Sequence, residues 1–455
     1  GRLKSFLSHF DRLEGRDAYL LLMFWSVRTV FILITNPGFQ MPDTGRYIRL
    51  SDAVLRGDFN FDDGMFIVAP LYPFFVAIHK AIFGAFWTPA LITTQILLDG
   101  LAGLTLYRLA KLLFVGPAAA ALTAVLYALN PSTMWFSPTI GQEALFMSLL
   151  IFAVYYLVKS LKTGRTRHTL YSALLYSGAF LTKSHVLLFS PFIVLTYLFS
   201  RLERRRRWTF SALYAGLCLA ATLPFGMVNL RLHGVYTLSS NGYQAHFYIG
   251  NTEYAYQFFL NTPPLSDSFC LLEIRSFPYG FVRYNGEEHL EILSRPQAEK
   301  QTLFLKAALR WIAENPVKFV KLKLYYAYAF LTPGLDFHHH PFERWLTAFL
   351  LGLPIFVFAY WGMFLSLKRD VSTHFWILGL FLAMTVFSVG FYVQNRFRRC
   401  TIEPFYLVYA AYGATEAFNR LRGRTTAEKR ESVRAPSLRS SENTAVMEAV
   451  GTDGR

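Results

Sequence analysis

Residues Trp345–Leu367 read WLTAFLLGLPIFVFAYWGMFLSL, a run of apolar residues that contains no charged side chain. It is about as long as the ~20 residues that a helix needs to cross the hydrocarbon of a bilayer. Comparable apolar runs are Ala18–Thr35, Thr209–Val228 and Phe375–Val393. One such run can be a buried helix of a soluble protein, whereas several indicate a polytopic membrane protein. The predicted fold is an all-α bundle of about ten spanning helices, with interfacial helices and a small outer-face segment.

The composition supports this class. Of the 455 residues, 53% are hydrophobic and 16% are charged, whereas soluble proteins carry roughly 25% charged residues. The formal net charge of +16 comes from short basic clusters between apolar runs, which is typical of cytoplasmic loops and argues against nucleic acid as a partner. The cysteines Cys218, Cys270 and Cys400 are too scattered for a zinc site or a disulfide framework.

The charges also predict the topology. The polar N-terminus, Gly1–Arg16, favours a retained signal-anchor helix and hence a multi-pass protein of the cell (inner) membrane. We assign four basic clusters to the cytoplasm: Lys159–His168, Arg201–Arg207, Lys368–Arg369 and Arg420–Arg424. The expected parts are an N-terminal transmembrane module (1–228) with a first outer loop (36–64), an outer-face segment (229–316), an interfacial helix with C-terminal transmembrane helices (317–418), and a disordered cytoplasmic tail (419–455).

One apolar stretch between Met65 and Lys159 is expected not to span. There are four such stretches, yet an outside start and an inside end require an odd number of crossings. Ala69–Pro73 and Asn130–Pro138 are the candidates, because proline removes a backbone donor that lipid cannot replace. The sequence does not choose between them.

Three residues near the predicted outer face are candidates for chemistry. Asp43 starts an amphipathic helix, Thr44–Arg56, so its carboxylate is either a base or a helix cap. Glu143 begins a membrane helix, as a functional acid or as a partner of the helix dipole. Lys183 lies in the outward turn Leu181–Ser184, where a lipid phosphate suits an unpaired cation.

A further basic cluster, Arg396 with Arg398 and Arg399, falls outside in this topology, against the positive-inside rule. Either these charges are needed there for phosphate, which suits the planar guanidinium, or the topology is wrong by one crossing. The histidine run His338–His340 is interpreted as a solvated loop, because adjacent histidines cannot all face one metal ion. Asp58, Asp62 and Asp63 are interpreted as solvated loop acids.

The order of the short motifs resembles a known group of proteins. Along the chain these motifs are PDTGRY, APLYPFF, LNPSTMWFSPTIGQEALF, FLTKSHVLL, FYIGN, ENPVKFVKL and RFRRCTIEPFYLVYAAYG. Their order and spacing, from about residue 18 to 418, resemble the GT-C superfamily of integral membrane glycosyltransferases. The similarity is greatest to the branch of bacterial protein O-mannosyltransferase-like enzymes and the lipid A aminoarabinose transferase.

The resemblance implies an enzyme that moves a sugar, with inversion, from a polyprenyl phosphate donor to a lipid, glycan or protein acceptor at the outer membrane face, among membrane lipids. It implies that Asp43 is the base and that Glu143 is a second, acceptor-orienting acid. It places the following residues at the substrate: Tyr47, Lys183, Arg396, Arg398 and Asn251.

Two departures from the family pattern bear on metal binding. Thr44 stands where a second acid is common, and Ala69 stands where a proline is common. No cofactor is certain and a divalent cation is left open. One carboxylate and a few cations are enough for the reaction, because a phosphate leaving group needs charge stabilisation more than a proton.

Two other classes of protein compete with this interpretation. A secondary transporter or lipid flippase would carry polar groups at the midplane of an inverted repeat, and no such repeat is apparent. A noncatalytic scaffold or accessory subunit would carry Asp43, Lys183 and Arg396 by coincidence.

Overall fold

The computed structural model describes residues 15–35, 43–58, 68–238, 243–261, 291–292, 294–333, 342–391 and 395–423. Throughout these ranges the regular secondary structure is helical, which confirms the predicted all-α class. Four features of the sequence analysis lie outside the described residues: His338–His340, Asp62, Asp63 and Cys270. So do parts of the first outer loop and of the 229–316 segment, and nearly all of the 419–455 tail.

In the described ranges, the first half of the chain contributes ten α-helices. Their bounds are α1 Gly15–Thr35, α2 Thr44–Leu55, α3 Leu71–Phe83, α4 Trp87–Leu113, α5 Pro117–Ala128, α6 Pro131–Phe136, α7 Gln142–Thr163, α8 Thr166–Thr182, α9 Ser190–Leu198 and α10 Arg204–His233. A 3₁₀ helix, Ser184–Phe189, joins α8 to α9.

The second half contributes seven. Their bounds are α11 Tyr243–Ile249, α12 Glu253–Tyr256, α13 Gln297–Glu314, α14 Pro316–Leu331, α15 Phe342–Gly390, α16 Asn395–Thr401 and α17 Glu403–Leu421. Helix α15 is broken at Asp370, whose backbone leaves the helical region. The break follows Lys368–Arg369, where the sequence predicts a cytoplasmic loop.

Among the described residues, five helical stretches are long and apolar enough to cross a membrane, so the chain is a multi-pass membrane protein. These are Gly15–Thr35, Leu71–Leu113, Gln142–Thr163, Arg204–Leu232 and Phe342–Gly390. Helix α5 has 12 residues and reaches only ~18 Å of a ~30 Å hydrocarbon core before it breaks at Asn130–Pro131. Helix α3, with 13 residues, is also short. Both proline-bearing candidates for a non-spanning stretch are therefore short helices, and the number of crossings stays a prediction.

A buried ion pair between Arg28 and Asp99 anchors a network that joins four helices of the bundle. The Arg28 guanidinium donates from Nε to Asp99 Oδ2 at 2.7 Å, and both side chains are fully buried. Its remaining nitrogens donate to the Ala128 and Tyr127 carbonyls and to the Thr133 hydroxyl. This network ties α1, α4, α5 and α6 together. Because the Asp99 carboxylate and the backbone and hydroxyl acceptors surround the Arg28 guanidinium, its buried positive charge is compensated.

The centre of the bundle is formed by α7 and α17, whose inward faces are almost wholly buried. Helix α17 lies against α15 through two glycines. A Cβ on Gly362 would overlap the Tyr409 carbonyl, and one on Gly413 would overlap the Phe358 carbonyl. Small residues let two membrane helices approach this closely. This core fixes α7 and the α16–α17 segment, which carry Glu143 and Arg396.

Candidate active site

Four charged side chains from distant parts of the chain meet in one group. Asp43 comes just before α2, Glu143 is in the first turn of α7, Lys183 follows α8, and Arg396 is in α16. The guanidinium of Arg396 lies between the two carboxylates, with Nη2 at 3.1 Å from Asp43 Oδ2 and Nε at 3.3 Å from Glu143 Oε1. We call these four residues the charged group.

Asp43 occupies the capping position of α2, but its carboxylate makes no capping hydrogen bond. The carboxylate is directed instead to Arg396 and, at 3.9 Å, to Arg46. Its side chain is 29% exposed, so a substrate can reach it. Of the two alternatives for Asp43, the structure favours a carboxylate that serves the charged group over one that caps the helix.

Glu143 and Lys183 form a buried ion pair. Lys183 Nζ donates to Glu143 Oε1 at 2.7 Å, and the side chains are 3% and 1% exposed, respectively. The ammonium also lies 4.5 Å from the centre of the Phe397 ring. Removing one member of such a pair leaves an uncompensated buried charge, which costs ~3–5 kcal/mol. Lys183 therefore belongs to the charged group, where its ammonium contacts Glu143 and is buried away from solvent.

A turn between α6 and α7 places Glu143, and three side chains hold that turn. Gln95 is fully buried and its amide nitrogen donates to the carbonyls of Ser137 (3.0 Å) and Thr139 (2.8 Å). Tyr72 donates to the Gln95 amide oxygen at 2.9 Å. Thr44 donates to the Ile140 carbonyl at 2.7 Å. Because Thr44 is next to Asp43 in the chain, this bond joins the segments that carry the two carboxylates.

Tyr47 is buried against this turn, in T-shaped contact with the Tyr72 ring at 4.9 Å. Burial, followed by the nearby Asp43 carboxylate, raises the pKa of the Tyr47 phenol well above its usual value. Tyr47 is thus a neutral phenol beside the charged group.

Arg398 and Asn251 have partners in the protein backbone. Arg398 is 2% exposed; its Nε donates to Glu403 at 2.8 Å and its Nη1 donates to the carbonyls of Ala329 and Thr332. Asn251 is fully buried and its amide nitrogen donates to the carbonyls of Phe247 (2.6 Å) and Gly390 (3.2 Å). These contacts join helices, and the substrate-binding roles of Arg398 and Asn251 stay predictions.

His246, in α11, borders the charged group and was missed by sequence reasoning. Burial lowers the pKa of His246 to about 4, with the Asp43 carboxylate opposing this shift and the Arg396 cation adding to it. Its imidazole is therefore neutral at pH 7. A single histidine in a long polar segment gives no pattern from which its position could have been predicted.

The charged group was also tested as a metal site. Among the residues the structure describes, no set of three or more His, Cys, Asp or Glu side chains is placed to hold a metal ion. The cation that both carboxylates contact is the guanidinium of Arg396. The divalent cation that the sequence left open therefore has no three-ligand set in the described ranges.

Two comparisons with known proteins bear on this arrangement. Residues 68–227 match the family model of dolichyl-phosphate-mannose-protein mannosyltransferases. The match includes Glu143 and Lys183 and ends before Arg396. No curated protein sequence matches the chain.

The fold is similar to a solved structure, the archaeal oligosaccharyltransferase AglB from Archaeoglobus fulgidus in complex with an inhibitory peptide and a dolichol-phosphate. The TM-score is 0.51 at 15% sequence identity, and the similarity covers 97% of this chain. This chain spans about half the length of that protein, 52% of which is covered. The family model over residues 68–227 agrees with the resemblance to the GT-C membrane glycosyltransferases that was drawn from the order of the motifs, and the solved structure shows a shared fold.

Proposed function

We propose that the protein is an inverting glycosyltransferase that moves a sugar from a polyprenyl phosphate carrier to a hydroxyl group at the outer face of the cell (inner) membrane. The observation that carries the proposal is the charged group. Asp43 and Arg396 are separated by most of the chain, yet they lie 3.1 Å apart, and Arg396 also reaches Glu143 at 3.3 Å. Such convergence of a reachable carboxylate with cations is what transfer from a phosphate carrier requires.

In the proposed reaction Asp43 is the base. The acceptor hydroxyl oxygen attacks the anomeric carbon from the side opposite the phosphate, and its proton passes to the Asp43 carboxylate. The bond between the anomeric carbon and the phosphate oxygen breaks, and the polyprenyl phosphate leaves with the electron pair. The anomeric configuration is inverted because the two bonds lie on opposite sides of the carbon.

Arg396 is the proposed contact for the departing phosphate. Its guanidinium presents two nitrogens to the carboxylates, and its side chain is partly exposed. The Nε of that guanidinium contacts Glu143, whose carboxylate also forms the buried ion pair with Lys183. In this proposal Lys183 contributes charge through Glu143, and Arg398 stabilises the packing of α14 against α17 instead of binding phosphate.

The named relatives indicate the classes of donor and acceptor. The matched family is described by a dolichyl phosphate-linked mannose and a protein acceptor, and the solved structure holds a dolichol-phosphate and a peptide. We take a polyprenyl phosphate-linked sugar as the donor class on this support. A lipid, a glycan and a protein hydroxyl remain the three acceptor classes to be assayed.

The substitution Asp43→Asn tests the proposal. Purified protein in detergent is supplied with polyprenyl phosphate sugars, and release of the sugar from the lipid is measured against each acceptor class. Loss of the base is expected to slow transfer by ~10²–10⁴-fold with an unchanged melting temperature. Asp58→Asn, a change of an exposed acid after α2, is the matched control.

Turnover of Asp43→Asn at the wild-type rate would remove Asp43 from the mechanism. The detergent assay also separates an enzyme from a transporter or flippase, because transfer of a sugar needs no second compartment. Wild-type protein that transfers no sugar to any acceptor class would refute the proposed function.

A further inference from the structure

Two glutamines between α11 and α13 have amide atoms without hydrogen-bond partners. Gln301 is 3% exposed, and neither its amide nitrogen nor its amide oxygen is bonded within the part of the chain that the structure describes. The amide oxygen of Gln244 is likewise buried and unbonded there. A buried polar group without a partner is destabilising, so such a pair of residues calls for an explanation.

The contacts of α11 and α12 with α13 place Gln244 and Gln301 at the same end of the interface. The Tyr248 ring of α11 meets the Phe304 ring of α13 at 4.9 Å. Further along both segments, Trp311 Nε1 donates to Glu253 at 3.1 Å. From the first contact to the second, the residue number increases on both sides of the interface. The segment Tyr248–Glu253 therefore runs in the same direction as Phe304–Trp311. Gln244 and Gln301 each precede the ring pair by about one helical turn and therefore lie at the same end of the interface.

Helix α11 also borders the charged group. The Tyr243 hydroxyl donates at 3.2 Å to the carbonyl of Ser184, the residue after Lys183. His246, which interacts electrostatically with Asp43 and Arg396, lies two residues from Gln244 and hence on nearly the opposite side of the helix. Gln244 is thus on the side of α11 away from the charged group, at least one helix width, ~10 Å, from it.

We infer that Gln244 and Gln301 form a subsite for the hydroxyl groups of a sugar unit remote from the bond that is transferred. The inference rests on the proposed function and deepens it. A sugar hydroxyl both donates and accepts, which matches the amide donor and acceptor of Gln301 and the amide acceptor of Gln244, all unbonded among the described residues. The adjacent Tyr248 and Phe304 rings supply the apolar wall that small-molecule sites combine with a few polar groups. The uncharged amides favour a neutral ligand over a phosphate.

A remote sugar unit has two sources, an acceptor glycan or an oligosaccharide donor. The test measures binding without turnover, on the full chain in nanodiscs. The probes are mannotriose for the acceptor source, a dolichyl phosphate-linked disaccharide for the donor source, and bare dolichyl phosphate as the ligand without sugar. Gln301→Leu removes the amide at similar volume, and Thr302→Ala, an exposed neighbour on α13, is the matched control.

Gln301→Leu is expected to weaken binding of one of the two sugar probes by about tenfold, and the probe affected identifies the source. Binding of bare dolichyl phosphate is expected to be unchanged, and the melting temperature is expected to match or exceed that of the wild type. That combination separates a ligand site from a structural role, because a structural glutamine would lower stability when replaced. Gln244→Leu gives the same readout if Gln301→Leu does not fold.

Two results would overturn the inference: both sugar probes binding to Gln301→Leu within twofold of the wild type, or an equal loss of binding of bare dolichyl phosphate. Neither of these results concerns Asp43 or the rate of sugar transfer. The Asp43→Asn assay therefore tests the proposed function independently.

Discussion

At the scale of single residues, Arg396 determines the state of the site. Its guanidinium contacts the carboxylates of Asp43 and Glu143. In the proposed reaction, the donor phosphate would compete for the same nitrogens and release Asp43, the more exposed of the two acids. Binding of the donor would therefore prepare the base. In this way one residue couples recognition of the leaving group to removal of the acceptor proton.

Replacing Arg396 by glutamine is expected to lower kcat for sugar transfer by ~10²–10³-fold, the usual cost of losing a charge-stabilising donor. Arg396→Lys keeps the charge but not the two-nitrogen geometry, so its activity is expected to fall between those of the wild type and the glutamine variant. Steady-state kinetics with a polyprenyl phosphate donor check both. A glutamine variant within threefold of the wild type would contradict the assigned role.

Lys323 predicts a pH dependence of stability. Burial lowers the pKa of Lys323 to about 7, whereas an unfolded lysine titrates near ~10.4. Between these values the unfolded chain keeps a proton that the folded chain has lost, so the free energy of unfolding rises as the pH increases from about 7 towards 10. Lys323→Met removes this contribution.

The melting temperature of the wild type relative to Lys323→Met is therefore expected to increase between pH 7 and pH 9. Lys321→Met, a change of an exposed lysine on the same helix, should show no such trend. Melting curves of the three proteins that stay parallel over this range would refute the prediction.

The residues of the charged group were predicted individually from the sequence, but not their contacts. Asp43 and Glu143 stand at the ends of recognisable helices, and Lys183 stands in a recognisable turn. Nothing local reveals that Arg396 contacts both acids, because these partners are remote in the chain. Arg398 shows the same limit: its sequence setting is that of Arg396, yet its donors face the end of α14.

At the scale of elements, the turn between α6 and α7 matters most. Its carbonyls accept from Gln95 and from Thr44, so α2, α4 and α7 are joined at one point. Thr44 stands where related enzymes often have a second acid. Here its hydroxyl links the two acid-bearing segments instead.

Thr44→Val is expected to reduce kcat by roughly tenfold, because loss of one positioning hydrogen bond of ~0.5–1.5 kcal/mol lets the carboxylates move apart. The KM for the donor should change little. Thr44→Ser restores the hydroxyl and is expected to restore kcat. Equal rates in Thr44→Val and the wild type would show that the bond to Ile140 does not position the acids.

Among the features of the sequence, the prolines are the most specific indicators of where helices begin. Pro117 and Pro131 are at the first turns of α5 and α6, which is where proline is tolerated. The predicted turn at Lys183 and the predicted helix Thr44–Arg56 also agree with the structure. The ion pair of Arg28 with Asp99 was not predicted, because each residue lies inside an apolar run and only the packing of α1 against α4 shows the pair.

At the scale of the whole molecule, close packing of α15 against α17 holds the site together. Gly413→Ala is expected to lower the melting temperature, since the new methyl group would overlap the Phe358 carbonyl and overpacking costs ~1–3 kcal/mol. Gly216→Ala, in α10, has open space around it and is expected to be neutral or slightly stabilising. Equal melting temperatures for both variants would contradict the packing.

The predicted sidedness of the bundle rests on the charge pattern of the sequence. That pattern puts Asp43 and Arg396 at the outer face even though Arg396 belongs to a basic cluster. Their contact requires that both lie on the same side of the membrane, so a single error in the number of crossings would separate them.

The most direct test of the central claim is labelling of single cysteines in intact cells with a membrane-impermeant maleimide. Asp43→Cys and Arg396→Cys, each in a chain carrying Cys270→Ser, are the two proteins to compare, since Cys218 and Cys400 are buried. Both cysteines are expected to react from outside without permeabilisation. Reaction of either one only after the membrane is opened would contradict an active site in which Asp43 and Arg396 meet at the outer face.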